Sequence, residues 1–180
     1  MDPSQDRLDQ MLLHMDAAYN LARWLVRNAN DAEDVVQESM LRALRYAGGF
    51  RGTDIRPWLL AIVRNVAYAW LKTHRPAELH DVSDAELALE SVADRPELNP
   101  ETLAIRHAER AMLNEAISAL PLVFREALIL RELEELSYRE IARITDIPIG
   151  TVMSRLSRAR QLLAQALGAI AQASVKENPA

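Results

Sequence analysis

The sequence predicts an all-α fold made of two small helical domains. Only 5 glycines and 8 prolines punctuate the 180 residues, and the β-branched and aromatic residues never form repeated alternating runs, which disfavours a turn-rich β fold. Apolar residues instead recur at helical spacing behind recognisable helix starts. A composition of 49% hydrophobic and 26% charged residues is typical of a globular chain.

Charge divides the chain into three parts. Residues 1–75 and 104–180 each carry 10 basic and 9 acidic side chains, whereas 76–103 carry 1 and 8. A proline-containing acidic stretch of this length is unusual as a loop inside one domain. We therefore predict a first domain over 1–75, an acidic flexible linker over 76–100, a second domain over 101–173 and a frayed tail over 174–180.

The first domain is predicted to be a three-helix bundle. Its first helix covers about 7–28, and the pair Asn30-Asp31 is a good helix N-cap before a second helix over about 32–46. Gly48-Gly49 ends that helix, and Pro57 suits the first turn of a third helix that reaches about residue 74.

The second domain is predicted to contain a helix-turn-helix. Helices are expected over about 100–119, 121–134, 137–145 and 149–173, and Ser137 with Glu140 forms a capping box at the third of them. Asp146 occupies the turn, where aspartate tolerates the left-handed conformation. A short capped helix, a tight turn and a longer helix are typical of this motif.

Three polar stripes are candidate binding surfaces. Thr151, Ser154, Arg155 and Arg158 share one face of the last helix, which could enter a DNA major groove. Arg64, Tyr68 and Lys72, with Asn65 beside them, form a basic and aromatic stripe suited to unpaired bases. Asp34, Glu38 and Arg42, with Gln37 alongside, form a charged stripe. On spacing alone, each stripe is also compatible with a solvated helix face.

No pattern indicates catalysis, a metal or a cofactor. The chain has no cysteine, its four histidines are scattered, and no phosphate-binding glycine loop or nucleophile elbow is present. No apolar run has the length of a membrane span or the quality of a signal peptide. We expect a cytoplasmic, noncatalytic protein without membrane insertion.

The sequence resembles the extracytoplasmic-function (ECF, group IV) sigma factors of the sigma-70 family over nearly its whole length. Asp31-Ala-Glu-Asp-Val-Val-Gln-Glu is similar to region 2.1/2.2, and Phe50-Arg-Gly followed by Trp58-Leu-Leu-Ala-Ile-Val-Arg-Asn to regions 2.3/2.4. The stretch from Leu120-Pro-Leu-Val-Phe-Arg to residue 160 is similar to region 4.

The resemblance implies a role for each stripe. The residues that it assigns to docking on core RNA polymerase are Asp34, Gln37, Glu38 and Arg42. Those that it assigns to the minus-ten element are Phe50, Arg51, Asp54, Arg64, Asn65, Tyr68 and Lys72. Those that it assigns to the minus-thirty-five element are Arg125, Thr151, Ser154, Arg155 and Arg158, with Arg125 as a phosphate contact. Met153 stands where the family often has lysine or arginine.

The partners implied are core RNA polymerase, through its β′ clamp helices and β flap, promoter DNA and an anti-sigma factor. The free chain is expected to be a monomer. Two other readings of the residues stay open: a free-standing helix-turn-helix regulator that binds duplex by itself as a dimer, and a helical adaptor that binds only protein. The second of these leaves the arginine face of the last helix unexplained.

Overall fold

The computed structural model describes residues 3–79 and 100–177, and every regular element within them is helical. The predicted all-α class is confirmed. Most of the expected acidic linker lies outside the described residues. The α-helices are α1 (Pro3–Leu12), α2 (Met15–Val26), α3 (Ala29–Tyr46), α4 (Ile55–His74), α5 (Pro100–Ser118), α6 (Leu122–Leu128), α7 (Tyr138–Thr145) and α8 (Ile149–Glu177).

Within the described residues, the first domain has four α-helices where the sequence predicted three, because the single helix expected over about 7–28 is divided into α1 and α2. The chain turns at Leu13 and His14, although neither glycine nor proline marks the point. Met11 at the end of α1 is fully buried, and the Arg7 guanidinium donates to the Ala47 carbonyl at 2.8 Å. These contacts fold α1 back onto the domain.

Side-chain caps set the starts of α3 and α4. Asn28, rather than the predicted pair Asn30-Asp31, caps α3 by accepting a hydrogen bond from the Asp31 backbone N–H at 3.1 Å. Asp54 caps α4 in the same way, accepting from the Arg56 N–H at 3.0 Å. Pro57 lies in the first turn of α4, where a missing N–H leaves no hydrogen bond unmade.

Helices α2, α3 and α4 pack around one apolar core. Its members include several fully buried aliphatic side chains, among them Leu21, Leu25, Leu59, Leu60, Val63 and Leu71. Burying a side chain of this size stabilises the fold by about 1.5–3 kcal/mol. The core holds the outward faces of α3 and α4 in fixed positions.

The second domain contains the predicted helix-turn-helix. The capping box is present, since Ser137 accepts from the Glu140 N–H and Glu140 accepts from the Ser137 N–H. Asp146 ends α7 in the left-handed conformation with φ 54°, as its place in the turn predicted. Before α7, helix α6 continues into a π-helical turn over Ile129–Leu133, a feature that the sequence did not predict.

The two domains lie directly against each other. Helix α4 of the first domain faces α7, while α2 faces α6 and the π turn. Buried apolar side chains from both domains form one contiguous cluster. The face of α4 that carries Arg64 and Tyr68 therefore looks toward the second domain.

Candidate functional site

The polar face of α8 that the sequence predicted is open to solvent. Ser154 and Arg158 are exposed, and Thr151 and Arg155 are partly buried. The Ser154 hydroxyl donates to the Thr151 carbonyl at 3.0 Å. This polar face is continuous with Met153, which is 54% exposed. A helix with this exposed surface has the form required to enter a major groove.

Two arginines of α7 flank that face and were missed in the sequence. Arg139 and Arg143, four residues apart, are both exposed. They line an open groove beside the α7–α8 turn together with Asp146 and Ile149. The first helix of a helix-turn-helix commonly crosses the DNA backbone. Their spacing within the capped helix was the signal that could have identified them.

The outer face of α3 combines charge with exposed leucines. Asp34 and Gln37 are exposed, and Glu38 pairs with Arg42 at 2.7 Å on the surface. Leu41 is 60% exposed, and it lies seven residues after Asp34, so it shares the stripe. Leu44 of the same helix is also exposed. A polar face with uncovered leucines is typical of a protein-binding surface.

The loop before α4 is built on an aromatic pair. The rings of Phe50 and Trp58 lie 5.1 Å apart, while Arg51 is exposed. The backbone of Gly52 passes so close to the Phe50 ring that an added Cβ would lie 2.6 Å from its Cζ atom. Asp54 has its carboxylate engaged as the α4 cap. The loop is thus fixed at both ends.

The predicted stripe on α4 is split by the second domain. Asn65 and Lys72 are exposed. Arg64 instead binds Glu126 of α6, with its Nε donating to Oε1 at 2.6 Å, and the Tyr68 hydroxyl donates to Oε2 at 3.0 Å. The Glu126 side chain is fully buried. The Arg64 guanidinium also lies over the Tyr68 ring, 4.2 Å from its centroid.

This cluster shifts the ionisation of its members. Burial acts to lower the pKa of Arg64, but the Glu126 carboxylate outweighs it and the pKa is raised. Burial, with the same carboxylate, raises the pKa of the Tyr68 hydroxyl well above its ordinary value. Arg64 therefore stays charged and Tyr68 stays protonated, so both remain donors to an anion.

A second carboxylate of the second domain makes similar contacts. The Glu134 side chain, 5% exposed, receives Arg56 Nη2 on Oε2 at 2.7 Å and Asn20 Nδ2 on Oε1 at 2.6 Å. Arg56 also donates to the Glu134 backbone carbonyl at 2.8 Å. Neither Glu126 nor Glu134 was identified from the sequence.

Arg125 does not occupy the place expected of a phosphate contact. It is 1% exposed, and its guanidinium donates to the carbonyls of Ser118 at 2.9 Å and Leu120 at 2.8 Å. Burial, together with the nearby charge of Arg27, lowers the pKa of Arg125 to about 10. Because the C-terminal end of α5 encloses it, Arg125 stabilises the packing of α6 against α5 and is not accessible to DNA.

Other kinds of site are not found in the described part of the chain. Residues 3–79 and 100–177 contain no group of three or more histidine, cysteine, aspartate or glutamate side chains placed to hold a metal ion. Within the same ranges, no helix combines the length and apolar character needed to cross a membrane.

Family models match both domains. The model for sigma-70 region 2 matches residues 11–77, and the model for sigma-70 region 4 matches 110–163. The chain is 39% identical over 147 residues to the RNA polymerase sigma-H factor of Pseudomonas aeruginosa, covering 79% of this chain and 76% of that protein. The ECF RNA polymerase sigma-E factor of Escherichia coli K12 is 38% identical over 139 residues, or 75% of this chain and 73% of that protein. The chain belongs to the ECF sigma factors of the sigma-70 family.

Solved structures agree with the fold of this sigma factor. The sigma factor RpoE of Bartonella quintana, crystallised with the anti-sigma factor NepR, matches with a TM-score of 0.69 at 28% identity. The match covers 91% of this chain and 98% of RpoE. CnrH, in complex with the cytosolic domain of CnrY, matches with a TM-score of 0.62 at 23% identity over 92% of this chain and 90% of CnrH.

The polar surfaces of the sigma factor differ in accessibility. The α3 face and the α4 stripe lie in the segment matched to region 2, and the α8 face lies in the segment matched to region 4. The α3 and α8 faces are open, whereas half of the α4 stripe is engaged by Glu126.

Proposed function

We propose that this chain is a group IV ECF sigma factor that binds core RNA polymerase, directs it to specific promoters and initiates their melting. The observation that carries the proposal is the open face of α8, on a capped helix-turn-helix joined to a region 2 domain. Polymerase supplies the catalysis in this scheme, and the sigma factor supplies recognition.

The α8 face is proposed to read the minus-thirty-five element. Arg158 and Arg155 offer guanidinium groups that can bond guanine through two hydrogen bonds, and Ser154 and Thr151 offer hydroxyl groups. The exposed Arg139 and Arg143 are proposed to hold the flanking phosphates in place of Arg125, which is buried.

The α4 face and its loop are proposed to open the minus-ten element. Asn65, which is exposed on α4, and the polar and aromatic groups of the loop are proposed to hold a base turned out of the duplex. Lys72, Arg64 and Tyr68 would follow the same strand through phosphate and stacking contacts. The loop residues concerned are Phe50, Arg51 and Asp54.

Docking is proposed to use α3. Asp34, Gln37, Glu38 and Arg42 supply its polar contacts to the β′ clamp helices, and exposed Leu41 adds the apolar contact that such an interface needs. The second domain is proposed to meet the β flap. Because two similar structures are complexes with a protein partner, we also propose control by an anti-sigma factor, with the free chain a monomer.

Run-off transcription tests the proposal. Purified core polymerase, with and without this protein, is given a fragment that carries the promoter of the protein's own gene. We expect transcripts from one start site only with the protein present. Their absence, together with a failed pull-down of core polymerase, would contradict the proposal and favour the free-standing regulator.

Two substitutions separate reading from melting. Arg158→Ala should weaken use of the upstream element, so a premelted template should not restore transcription by this variant. Asn65→Ala should impair melting, so a premelted template should restore transcription by that variant. Arg160→Ala is the matched control for Arg158, because Arg160 lies on the same helix but pairs with Glu132 at 2.6 Å. Equal rescue of both variants would contradict the division of roles.

A further inference from the structure

Two buried carboxylates of the second domain hold basic groups of the first. Glu126 binds Arg64 and Tyr68, and Glu134 binds Arg56. The partners are 58 to 78 residues apart in the chain. The contacts therefore exist only while the two domains lie together.

The π turn aligns these two carboxylates. Residues eight positions apart in an uninterrupted α-helix point about 80° away from each other. The π turn over Ile129–Leu133 lies between Glu126 and Glu134. Because a π turn is wider than an α-helical turn, each of its residues rotates the chain through a smaller angle about the helix axis. Both side chains consequently face the first domain from one side of the helix.

The Glu126 contact has the chemistry of phosphate recognition. A guanidinium that offers two N–H groups, at 2.6 and 3.4 Å, and a hydroxyl at 3.0 Å surround the carboxylate oxygens. Arginine binds carboxylate and phosphate with the same fork of donors. A strand phosphate and Glu126 would compete for the same donors.

The ionic character of the contact makes it reversible. A buried ion pair has a free energy only slightly lower than that of the two separate hydrated ions, because the cost of desolvation offsets most of the attraction between the charges. Separating the domains returns both partners to water, so the pair specifies the closed arrangement without making opening prohibitive. Removing one partner leaves the other buried without its counter-charge, which disfavours closure.

We propose that Glu126 and Glu134 form a carboxylate clasp that closes the free chain, with Glu126 in the position of a backbone phosphate of the melted strand. The proposal rests on the strand contacts proposed for Arg64 and Tyr68. Closure then shuts the strand site of α4 while leaving the recognition face of α8 open.

The experiment measures domain separation and strand binding independently in the full chain. Because the protein has no cysteine, Glu33→Cys on α3 and Gln161→Cys on α8, both at exposed positions, accept a pair of spin labels for distance measurement. Strand binding is followed by fluorescence anisotropy with a labelled random-sequence single-stranded DNA of about 12 nucleotides.

The double variant Glu126→Gln/Glu134→Gln should give longer and broader label distances and about tenfold tighter binding of the oligonucleotide. Glu132→Gln is the matched control, since Glu132 lies in the same segment but pairs with Arg160 inside its own domain. It should leave both measurements unchanged.

Arg64→Gln breaks the clasp from the first domain. It leaves the sequence of the second domain unchanged, so its effect cannot come from misfolding of the second domain. It should lengthen the label distance without tightening oligonucleotide binding, because Arg64 is also the proposed strand contact. Wild-type distances in both the double variant and Arg64→Gln, with helical circular dichroism retained, would overturn the clasp.

Opening without any gain in oligonucleotide binding would overturn the phosphate-site role of Glu126 and, with it, the strand contacts proposed for α4. That result would leave promoter recognition by α8 standing, which run-off transcription tests separately.

Discussion

Gly52 shows how one missing Cβ shapes the loop before α4. A methyl group there would lie 2.6 and 2.8 Å from two atoms of the Phe50 ring. The ring would have to move, although it packs on Trp58 with centroids 5.1 Å apart. The backbone of Gly52 is not left-handed. The position therefore requires glycine because there is no room for a Cβ, and not because of the backbone conformation.

Gly52→Ala should therefore displace Phe50 and impair promoter opening. We expect a loss of stability of about 0.5–1.5 kcal/mol from the aromatic pair, and reduced transcription from duplex templates that premelted templates restore. Thermal melting and run-off transcription measure the two effects.

Gly48→Ala is the control for Gly52→Ala. A Cβ at Gly48 meets nothing within 4 Å, so this variant should behave as the wild type. Equal defects in the two variants would show that the Phe50 contact is not the cause.

Among the elements, helix α7 depends on its capping box. Glu140 accepts from the Ser137 N–H at 2.7 Å and from the Ser137 hydroxyl at 2.6 Å. These hydrogen bonds, the hydroxyl one first, lower the pKa of the Glu140 carboxyl. A carboxyl with a lowered pKa stabilises the folded state at neutral pH and loses that contribution as the pH falls through its pKa.

Ser137→Ala should cost about 1 kcal/mol of unfolding free energy at neutral pH. The hydroxyl no longer lowers the pKa of Glu140, so the difference from the wild type should shrink as the pH falls through the lowered pKa of that carboxyl. Urea unfolding at neutral pH and at acid pH measures this. Ser157→Ala, at an exposed position within α8, is the control, and a pH-independent difference for Ser137→Ala would contradict the role of Glu140.

At the level of single helices, the sequence correctly predicted the features that depend only on neighbouring residues. The capping box of α7 and the left-handed Asp146 both depend on neighbouring residues, and both are present. The break between α1 and α2 carries no glycine or proline. It is fixed by the burial of Met11 and the distant Arg7–Ala47 contact, which helical periodicity does not encode.

For the whole molecule, the least predictable feature was the contact between domains. Arg64 and Tyr68 were correctly placed on one stripe of α4, yet their partner Glu126 is 62 residues from Arg64. Arg125 was expected to contact a phosphate, but its Nη2 reaches the Leu25 carbonyl, 100 residues away, at 3.4 Å. Side-chain spacing within one helix does not reveal which distant surface will cover it.

Charge and closure together predict weak DNA binding by the free chain. The net charge is -5, few phosphates are neutralised, and Arg64 is already paired. Mobility shifts at physiological salt should show tight promoter binding only when core polymerase is added. Nanomolar binding of duplex by the isolated chain would contradict this expectation.

The open face of α3 has a consequence for the order of events. Leu41 and the Glu38–Arg42 pair are accessible while the domains are together, so capture by polymerase need not wait for separation. On the proposed function, the closed chain is recruited first and opens afterwards on the enzyme. Initiation then has a built-in sequence of steps, in which a strand-binding site becomes available only to a molecule that has already found its polymerase.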